Sequence, residues 1–240
     1  DRFITSVKNK IRHFKIPIKL KELFQNARNV LVYTQYNDGT KELVDAGIEW
    51  MLCNLSPNYF ISRYCWIPFP GKGNVPFQLY YFQNEILRDT KIYKKLVFLK
   101  TRQCGISTLF SLYCFWRANF HESESIDVVS LQQKKARKFV SKIEPTIKRL
   151  PPVLKTPITH KNQSLVKWAN GSEILSESAS PRAGRGDSLS LLVLDEAAHY
   201  LSDNMIRGIV SAASPTLSRT GGDMIIILSL LHISEPTRPR

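Results

Sequence analysis

Residues 95–108 constrain the fold of this chain more than any other stretch. A short apolar run ends in a polar loop with one glycine, and two hydroxyl residues then open an apolar helix. In α/β proteins this order predicts a phosphate cradle, because backbone N–H groups and a helix N-terminus converge on an anion. The usual pattern is G-x-x-x-x-G-K-[ST]. Aligned on Gly105, the loop has Lys100 in place of the first glycine, Ile106 in place of the lysine, and Ser107 at the hydroxyl position.

A second informative stretch lies about 90 residues downstream. Residues 189–194 form an apolar run interrupted only by Ser190, which is typical of a parallel strand buried on both faces. Asp195 and Glu196 follow at its carboxyl end, where an open α/β sheet places its ligands. One carboxylate can hold Mg²⁺ and the other can polarise a water for attack on a γ-phosphate. Capping of a helix N-terminus is the alternative interpretation of the two acids.

The net charge of +14 indicates an anionic partner, most often nucleic acid. Eight Lys and Arg residues lie within residues 1–28, and the helix predicted over 132–150 is the densest basic segment. Either segment could contact DNA phosphates, or could be a solvated surface that keeps the protein soluble.

The four cysteines, Cys53, Cys65, Cys104 and Cys114, show neither C-x-x-C pairs nor an accompanying histidine cluster. They are therefore expected to be reduced thiols, and neither a zinc site nor a disulfide framework is predicted. The sequence contains no apolar run of 18 residues and no signal peptide, so neither secretion nor a membrane location is predicted.

Hydrophobic spacing predicts the remaining elements. Asn170 and Gly171 lie between two β-like runs, which is the strongest short signal for a hairpin. Gln83 lies on a short helix just before the phosphate-loop strand, and its amide could pair with an adenine edge or lie on the surface. The predicted helices cover residues 41–56, 80–89, 107–120, 132–150 and 205–213, and the predicted strands cover residues 126–130, 165–168, 172–175 and 224–227.

These segments occur in one order that resembles the ATPase portion of the large terminase subunit of tailed bacteriophages, the motor that pumps DNA into procapsids. The resemblance covers about residues 57–229 and rests on "FISRYCWIPFPGKGNVPFQLYYFQNEIL", "KLVFLKTRQCGIST", "IDVVSLQQKKARKFVSKIE", "WANGSEILSESASPRAGRGDSLSLLVLDEAAHY" and "DMIIILS". It implies an α/β fold, a RecA-like P-loop NTPase with a mainly parallel central sheet, preceded by a basic, mainly helical N-terminal region.

The resemblance also implies roles for individual residues. Glu196 would activate water, Arg102 and Lys100 would offset phosphate charge, and Gln83 would contact adenine. Ser107 and Asp195 would hold Mg²⁺, and Arg185 with Gly186 matches an element that precedes the Walker B strand. ATP would bind at Gln83 and at the loop residues Lys100, Thr101, Arg102, Gln103, Cys104, Gly105, Ile106, Ser107 and Thr108.

Ile106 is a departure from the family, most members of which have lysine there. Some large terminases place the lysine at the front of the loop, where this chain has Lys100. A lysine stem is long and flexible, so Lys100 could reach the β- and γ-phosphates from there. Our hypothesis is that Lys100 supplies the missing charge.

The expected organisation is a basic N-terminal region over residues 1–56 and an ATPase domain over residues 57–227. Residues 228–240 resemble the translated read-through of a sequencing adapter, so we expect an artefact there and a C-terminal nuclease domain missing from this fragment.

The expected function is ATP hydrolysis coupled to translocation of double-stranded DNA, without sequence readout. The resemblance further implies a portal protein and a small terminase subunit as partners, a homo-oligomeric ring on the procapsid, and the cytoplasm of the infected bacterial host. A superfamily 2 helicase is one alternative, since "DEAAH" after a buried strand fits that class loosely. A non-hydrolysing DNA-binding or portal-docking protein with a decayed loop is another, and Ile106 favours it.

Overall fold

The computed structural model describes residues 31–101, 103–180, 183–184, 188–200 and 203–229. The strands are β1 (Leu31–Gln35), β2 (Lys41–Asp45), β3 (Trp66–Phe69), β4 (Gly73–Pro76), β5 (Lys95–Lys100), β6 (Ser125–Ser130), β7 (Ile158–Lys161), β8 (Leu165–Trp168), β9 (Glu173–Ser178), β10 (Leu191–Asp195) and β11 (Asp223–Ser229). The helices are α1 (Ala46–Leu55), α2 (Pro57–Tyr64), α3 (Tyr81–Asp89), α4 (Ile106–Phe120), α5 (Gln133–Ser141), α6 (Glu144–Arg149) and α7 (Asp203–Thr220).

A seven-stranded sheet in the order β5–β11–β10–β6–β9–β8–β7 forms the centre of the described molecule. The first five strands in that order are parallel, and β8 and β7 add on as antiparallel strands. Every residue of β10 is buried, as its uninterrupted apolar run predicts. The predicted α/β class with a mainly parallel sheet is thus confirmed.

Helices cover both faces of this sheet. On one face α4 is buried nearly all round, and Phe110 and Phe115 share a core with Val128 of β6 and Val193 of β10. On the other face Ile209, Ala213 and Leu217 of α7 pack with Leu192 and Leu194. Each fully buried apolar side chain of this size stabilises the fold by roughly 1.5–3 kcal/mol, so the two cores hold α4 and α7 against the sheet.

The prediction of a single helix over residues 41–56 is wrong for its first five residues. Residues 41–45 instead form β2, which pairs antiparallel with β1 across a turn at Gly39. The helix begins only after Asp45, whose carboxylate accepts a hydrogen bond from the Ile48 N–H at 3.0 Å. Apolar spacing alone did not distinguish the two states, because the deciding contact is the pairing with residues 31–35.

The helix predicted over residues 132–150 is two helices. Pro145 has no N–H and its ring would clash with the carbonyl of Ser141, so α5 ends at that serine and α6 begins separately. The hairpin predicted around Asn170 and Gly171 is confirmed, with Val166 opposite Ile174 in the antiparallel register.

The two predicted domain boundaries, after residues 56 and 227, stay predictions. Helix α1 lies against α4, where the indole N–H of Trp116 donates to the Cys53 carbonyl at 2.7 Å. Strand β11 continues through Leu228 and Ser229, which pair with Leu99 and Lys100 of β5. The basic segment 1–28 and residues 230–240 lie outside the described residues. Among the helices that are described, none is both long and apolar enough to cross a membrane.

Candidate nucleotide site

The carboxyl ends of four parallel strands meet at one edge of the sheet. Lys100 ends β5, Ser229 ends β11, Asp195 ends β10 and Ser130 ends β6, and the registers place Lys100 beside Ser229 and Asp195 beside Ser130. Open α/β sheets bind their ligands at this edge. The two stretches that the sequence singled out therefore converge there, separated by the single strand β11.

The phosphate loop turns sharply between β5 and α4. Gln103 and Gly105 both have left-handed backbone, with φ of 65° and 75°. Gly105 is also crowded, since a Cβ atom there would lie 2.8 Å from the Gln83 Nε2 atom. The left-handed backbone favours glycine at this position, and any larger residue would also have to displace the Gln83 amide. The tight turn allows α4 to begin with its N-terminal N–H groups at the sheet edge.

The decisive contact of the site joins the loop helix to β10. The Ser107 hydroxyl donates to Asp195 Oδ1 at 2.7 Å, across 88 residues of sequence. Asp195 is only 7% exposed, and burial raises the pKa of its carboxyl group, while the Ser107 hydrogen bond and the ammonium group of Lys142 oppose that rise. The two residues predicted to hold Mg²⁺ are therefore in contact, and their binding of the ion stays a prediction.

Glu196 follows Asp195 in a strained conformation, with a left-handed φ of 54°. Its Oε2 atom lies 2.6 Å from the Lys135 Nζ atom of α5. The hydrogen bond from Lys135 lowers the pKa of Glu196, and the charge of the same lysine adds to the effect. Glu196 is therefore ionised at neutral pH, which is the state that a general base requires.

Gln83 contacts the phosphate loop directly. Its side chain is fully buried, its Nε2 donates to the Cys104 carbonyl at 3.2 Å, and its Oε1 accepts from the Tyr80 N–H at 3.1 Å. Both ends of the amide are thus engaged within the chain. Gln83 supports the loop at Cys104, and its predicted contact with adenine stays a prediction.

The other residues of the phosphate loop differ in their exposure to solvent. Thr101 and Gln103 are exposed, and Lys100, Cys104, Ser107 and Thr108 are half-buried. Ile106 is 3% exposed and packs into the main core, so its side chain is turned away from the place where a lysine would contact phosphate. Three further predicted residues, Arg102, Arg185 and Gly186, lie outside the described residues.

The oxygen donors at this edge fit Mg²⁺. A serine hydroxyl and a carboxylate are ligands of the kind that this ion prefers, and it usually keeps several waters. The part of the chain that the structure describes holds no group of three or more His, Cys, Asp and Glu side chains placed for a metal. An ion held by Ser107 and Asp195 would therefore complete its coordination with water and nucleotide phosphate oxygens.

Sequence reasoning missed two lysines of this site, Lys135 and Lys142, both of which were interpreted only as members of a basic segment. Lys135 pairs with Glu196, and Lys142 acts electrostatically on Asp195. A signal was present in their spacing, since residues seven apart lie on one face of a helix. That spacing could not show which side of the sheet the face contacts.

No family model matches the sequence. Among solved structures, the HK97 bacteriophage large terminase matches 73% of this chain with a TM-score of 0.57 and 20% sequence identity. A mutant of the Thermus phage P74-26 large terminase ATPase domain matches 66% of this chain with a TM-score of 0.53 and 22% identity. The fold is that of phage large terminases. The RecA-like architecture that the resemblance implied is thereby confirmed.

The match covers different shares of the two solved structures. This chain spans 37% of the HK97 large terminase chain and 68% of the P74-26 ATPase domain chain. At these identities the likeness extends to the terminase fold alone. What the site does must therefore be argued from its own residues.

Proposed function

We propose that this chain is the ATP-hydrolysing part of a large terminase subunit, a motor that couples ATP hydrolysis to translocation of double-stranded DNA. One observation carries the proposal: Ser107 of the phosphate-loop helix bonds Asp195 at the end of β10, and Glu196 is the next residue. A P-loop ATPase needs a hydroxyl, a metal-holding carboxylate and a water-positioning group at this edge. The terminase fold supports the same conclusion.

Each residue has a distinct task in this proposal. The N–H groups at the start of α4 bind the β- and γ-phosphates, helped by the positive end of the helix dipole. Ser107 and Asp195 hold Mg²⁺, which offsets phosphate charge when bound. Glu196 accepts a hydrogen bond from the attacking water and orients it toward the γ-phosphate. Lys100 contributes positive charge from the start of the loop, and Gln83 fixes the loop backbone at Cys104.

The basic surface of α5 is the proposed contact for DNA. Lys134, Arg137 and Lys138 are exposed, and no described carboxylate lies within 4 Å of their charged groups. Such groups bind the phosphate backbone without reading sequence. The portal protein, the small terminase subunit, a ring of identical copies and the host cytoplasm belong to the proposal through the terminase resemblance.

Steady-state ATP hydrolysis with the variant Glu196→Gln tests the proposal. Glutamine retains the shape of the side chain but cannot act as a base, so the turnover rate should fall by about 10²–10⁴-fold. Mg²⁺-dependent ATP binding should persist in this variant. Glu85→Gln, an exposed substitution on α3, is the matched control and should hydrolyse ATP normally. Wild-type turnover in Glu196→Gln would contradict the proposal.

One observation favours a second candidate, a DNA-binding or portal-docking protein that does not hydrolyse ATP. Ile106 is buried in the core, so the phosphate loop lacks a lysine at the usual position. The Ser107–Asp195 hydrogen bond argues against this candidate, because a site that no longer binds Mg²⁺ and ATP would not need these two side chains in contact. If the wild-type protein fails to hydrolyse ATP with Mg²⁺ and DNA present, the second candidate is preferred. A helicase, in contrast, would hydrolyse ATP and separate DNA strands.

A further inference from the structure

The phosphate loop lacks a lysine at Ile106, and the end of α5 carries another lysine, Lys142, that is tied to the helix after this loop. The last turn of α5 is tied to the phosphate-loop helix, because the Ser111 hydroxyl of α4 donates to the Phe139 carbonyl at 2.7 Å. The Lys142 N–H donates to the same carbonyl at 3.4 Å. Ser111 lies one helical turn after Ser107, which bonds Asp195. The backbone of Lys142 is therefore tied through the Phe139 carbonyl to α4, at a point one helical turn beyond the Ser107–Asp195 pair.

The helix geometry directs Lys142 toward the site. Side chains on a helix lean toward its N-terminus, and Lys142 retains helical backbone with φ −62° and ψ −21°. Lys135 is seven residues earlier on the same face of α5 and contacts Glu196 at 2.6 Å. The side chain of Lys142 is therefore directed toward the edge of the sheet where Asp195 and Glu196 lie.

The surroundings of Lys142 suit an anion. The side chain is half-buried, and its Nζ atom lies 5.5 Å from the centre of the Phe139 ring. Burial lowers the pKa of the Lys142 amine, and the positive charges of Lys100 and Lys138 lower it further. The negative charge of Asp195 is the largest effect that raises this pKa. Within the described part of the chain, no carboxylate forms an ion pair with Lys142 within 4 Å. An additional anion at this edge would therefore stabilise the ammonium form.

We propose that Lys142 contacts the terminal phosphate of the bound nucleotide and supplies, together with Lys100, the charge that is missing at Ile106. The inference rests on the proposed function, because it assigns a residue to the same nucleotide site. A lysine carried by the helix after β6, rather than by the loop, would make this phosphate contact depend on the position of α5.

Nucleotide titration with ATPγS and with ADP, each with Mg²⁺, tests the inference. Lys142→Met removes the charge and retains most of the apolar stem. Its affinity for ATPγS should fall roughly tenfold to a hundredfold, the worth of a hydrogen bond to a charged group, whereas its ADP affinity should change less than threefold. Lys142→Arg should recover part of the ATPγS affinity. Lys155→Met, at an exposed position outside both the nucleotide site and the proposed DNA contact, is the matched control and should bind both nucleotides normally.

The outcomes separate the inference from the proposed function. Thermal unfolding of Lys142→Met first establishes that the variant is folded. Equal affinity for ATPγS in Lys142→Met and wild type, or an equal loss for ATPγS and ADP, overturns the inference and leaves the proposed function intact. Failure of the wild-type protein to bind ATPγS overturns the proposed function and the inference with it.

Discussion

Asp127 is a buried acid in the middle of β6, 4% exposed and next to Glu177 of β9. Burial raises the pKa of Asp127 to about 8, and the hydrogen bond and negative charge of Glu177 act in the same direction. The folded protein therefore retains a proton that the unfolded chain releases near its ordinary pKa of about 4. Stability contributed by this proton is fully present below pH 4 and is lost as the pH rises toward 8.

The variant Asp127→Asn should remove this pH dependence. Asparagine retains a donor for Glu177 but has no proton to lose, so its melting temperature should fall less than that of the wild type between pH 5 and pH 8. Thermal unfolding at both pH values measures the difference. An equal fall in melting temperature between pH 5 and pH 8 for the two proteins would contradict the protonated state of Asp127.

Gln83 offers a second test at the scale of one residue. Its amide holds the Cys104 carbonyl, so Gln83→Ala should weaken ATP and GTP binding by the same factor, about tenfold if the loop shifts. A residue that reads the adenine edge would weaken ATP binding alone. Competition titrations with both nucleotides separate the two roles, and a loss restricted to ATP would favour adenine recognition.

A buried ion network joins three elements at the opposite end of the sheet. Arg117 of α4 contacts Asp223 of β11 at 2.6 Å and Glu124, next to β6, at 2.8 Å, and all three side chains are at most 15% exposed. Removal of the arginine would leave the buried Glu124 without its ion-pair partner, while Asp223 would still contact the exposed Lys94 at 3.1 Å. Such changes cost about 3–5 kcal/mol of unfolding free energy.

Urea unfolding of Arg117→Met should show a loss of that size. The matched control is Arg88→Met, because the Arg88–Glu85 pair is exposed and should contribute less than about 1 kcal/mol. A loss below about 1 kcal/mol in Arg117→Met would show that this network does not hold α4 against the sheet.

The secondary structure was predictable where local signals agree. The apolar run before Asp195 and the Asn170–Gly171 turn each correspond to one observed element. The prediction was wrong at residues 41–45, where pairing with a distant strand decides the conformation, and within residues 132–150, where Pro145 breaks the helix. Strand order and helix contacts depend on tertiary packing, so the tie between Lys142 and α4 through the Phe139 carbonyl could not be predicted from spacing alone.

At the scale of the whole molecule, the charge of +14 gives a measurable expectation. Binding to double-stranded DNA should weaken steeply with salt, with a slope set by the number of phosphates neutralised. Replacing Lys134, Arg137 and Lys138 of α5 together by alanine should reduce the slope of log K against log salt by about 2–3 units. Lys72→Ala, in the exposed turn between β3 and β4, is the single-charge control and should retain the wild-type slope. An unchanged slope in the triple variant would place the DNA contact elsewhere, for example in residues 1–28.

The central claim is that Ser107 and Asp195 form a site for Mg²⁺ and ATP at one edge of the sheet. Its most direct test is a calorimetric titration of ATPγS with and without Mg²⁺, on the wild type and on Asp195→Asn. We predict one site per wild-type chain, with affinity at least tenfold higher when Mg²⁺ is present, and little response to Mg²⁺ in Asp195→Asn. Wild-type protein that does not bind ATPγS, or an equal response to Mg²⁺ in both proteins, would contradict the account.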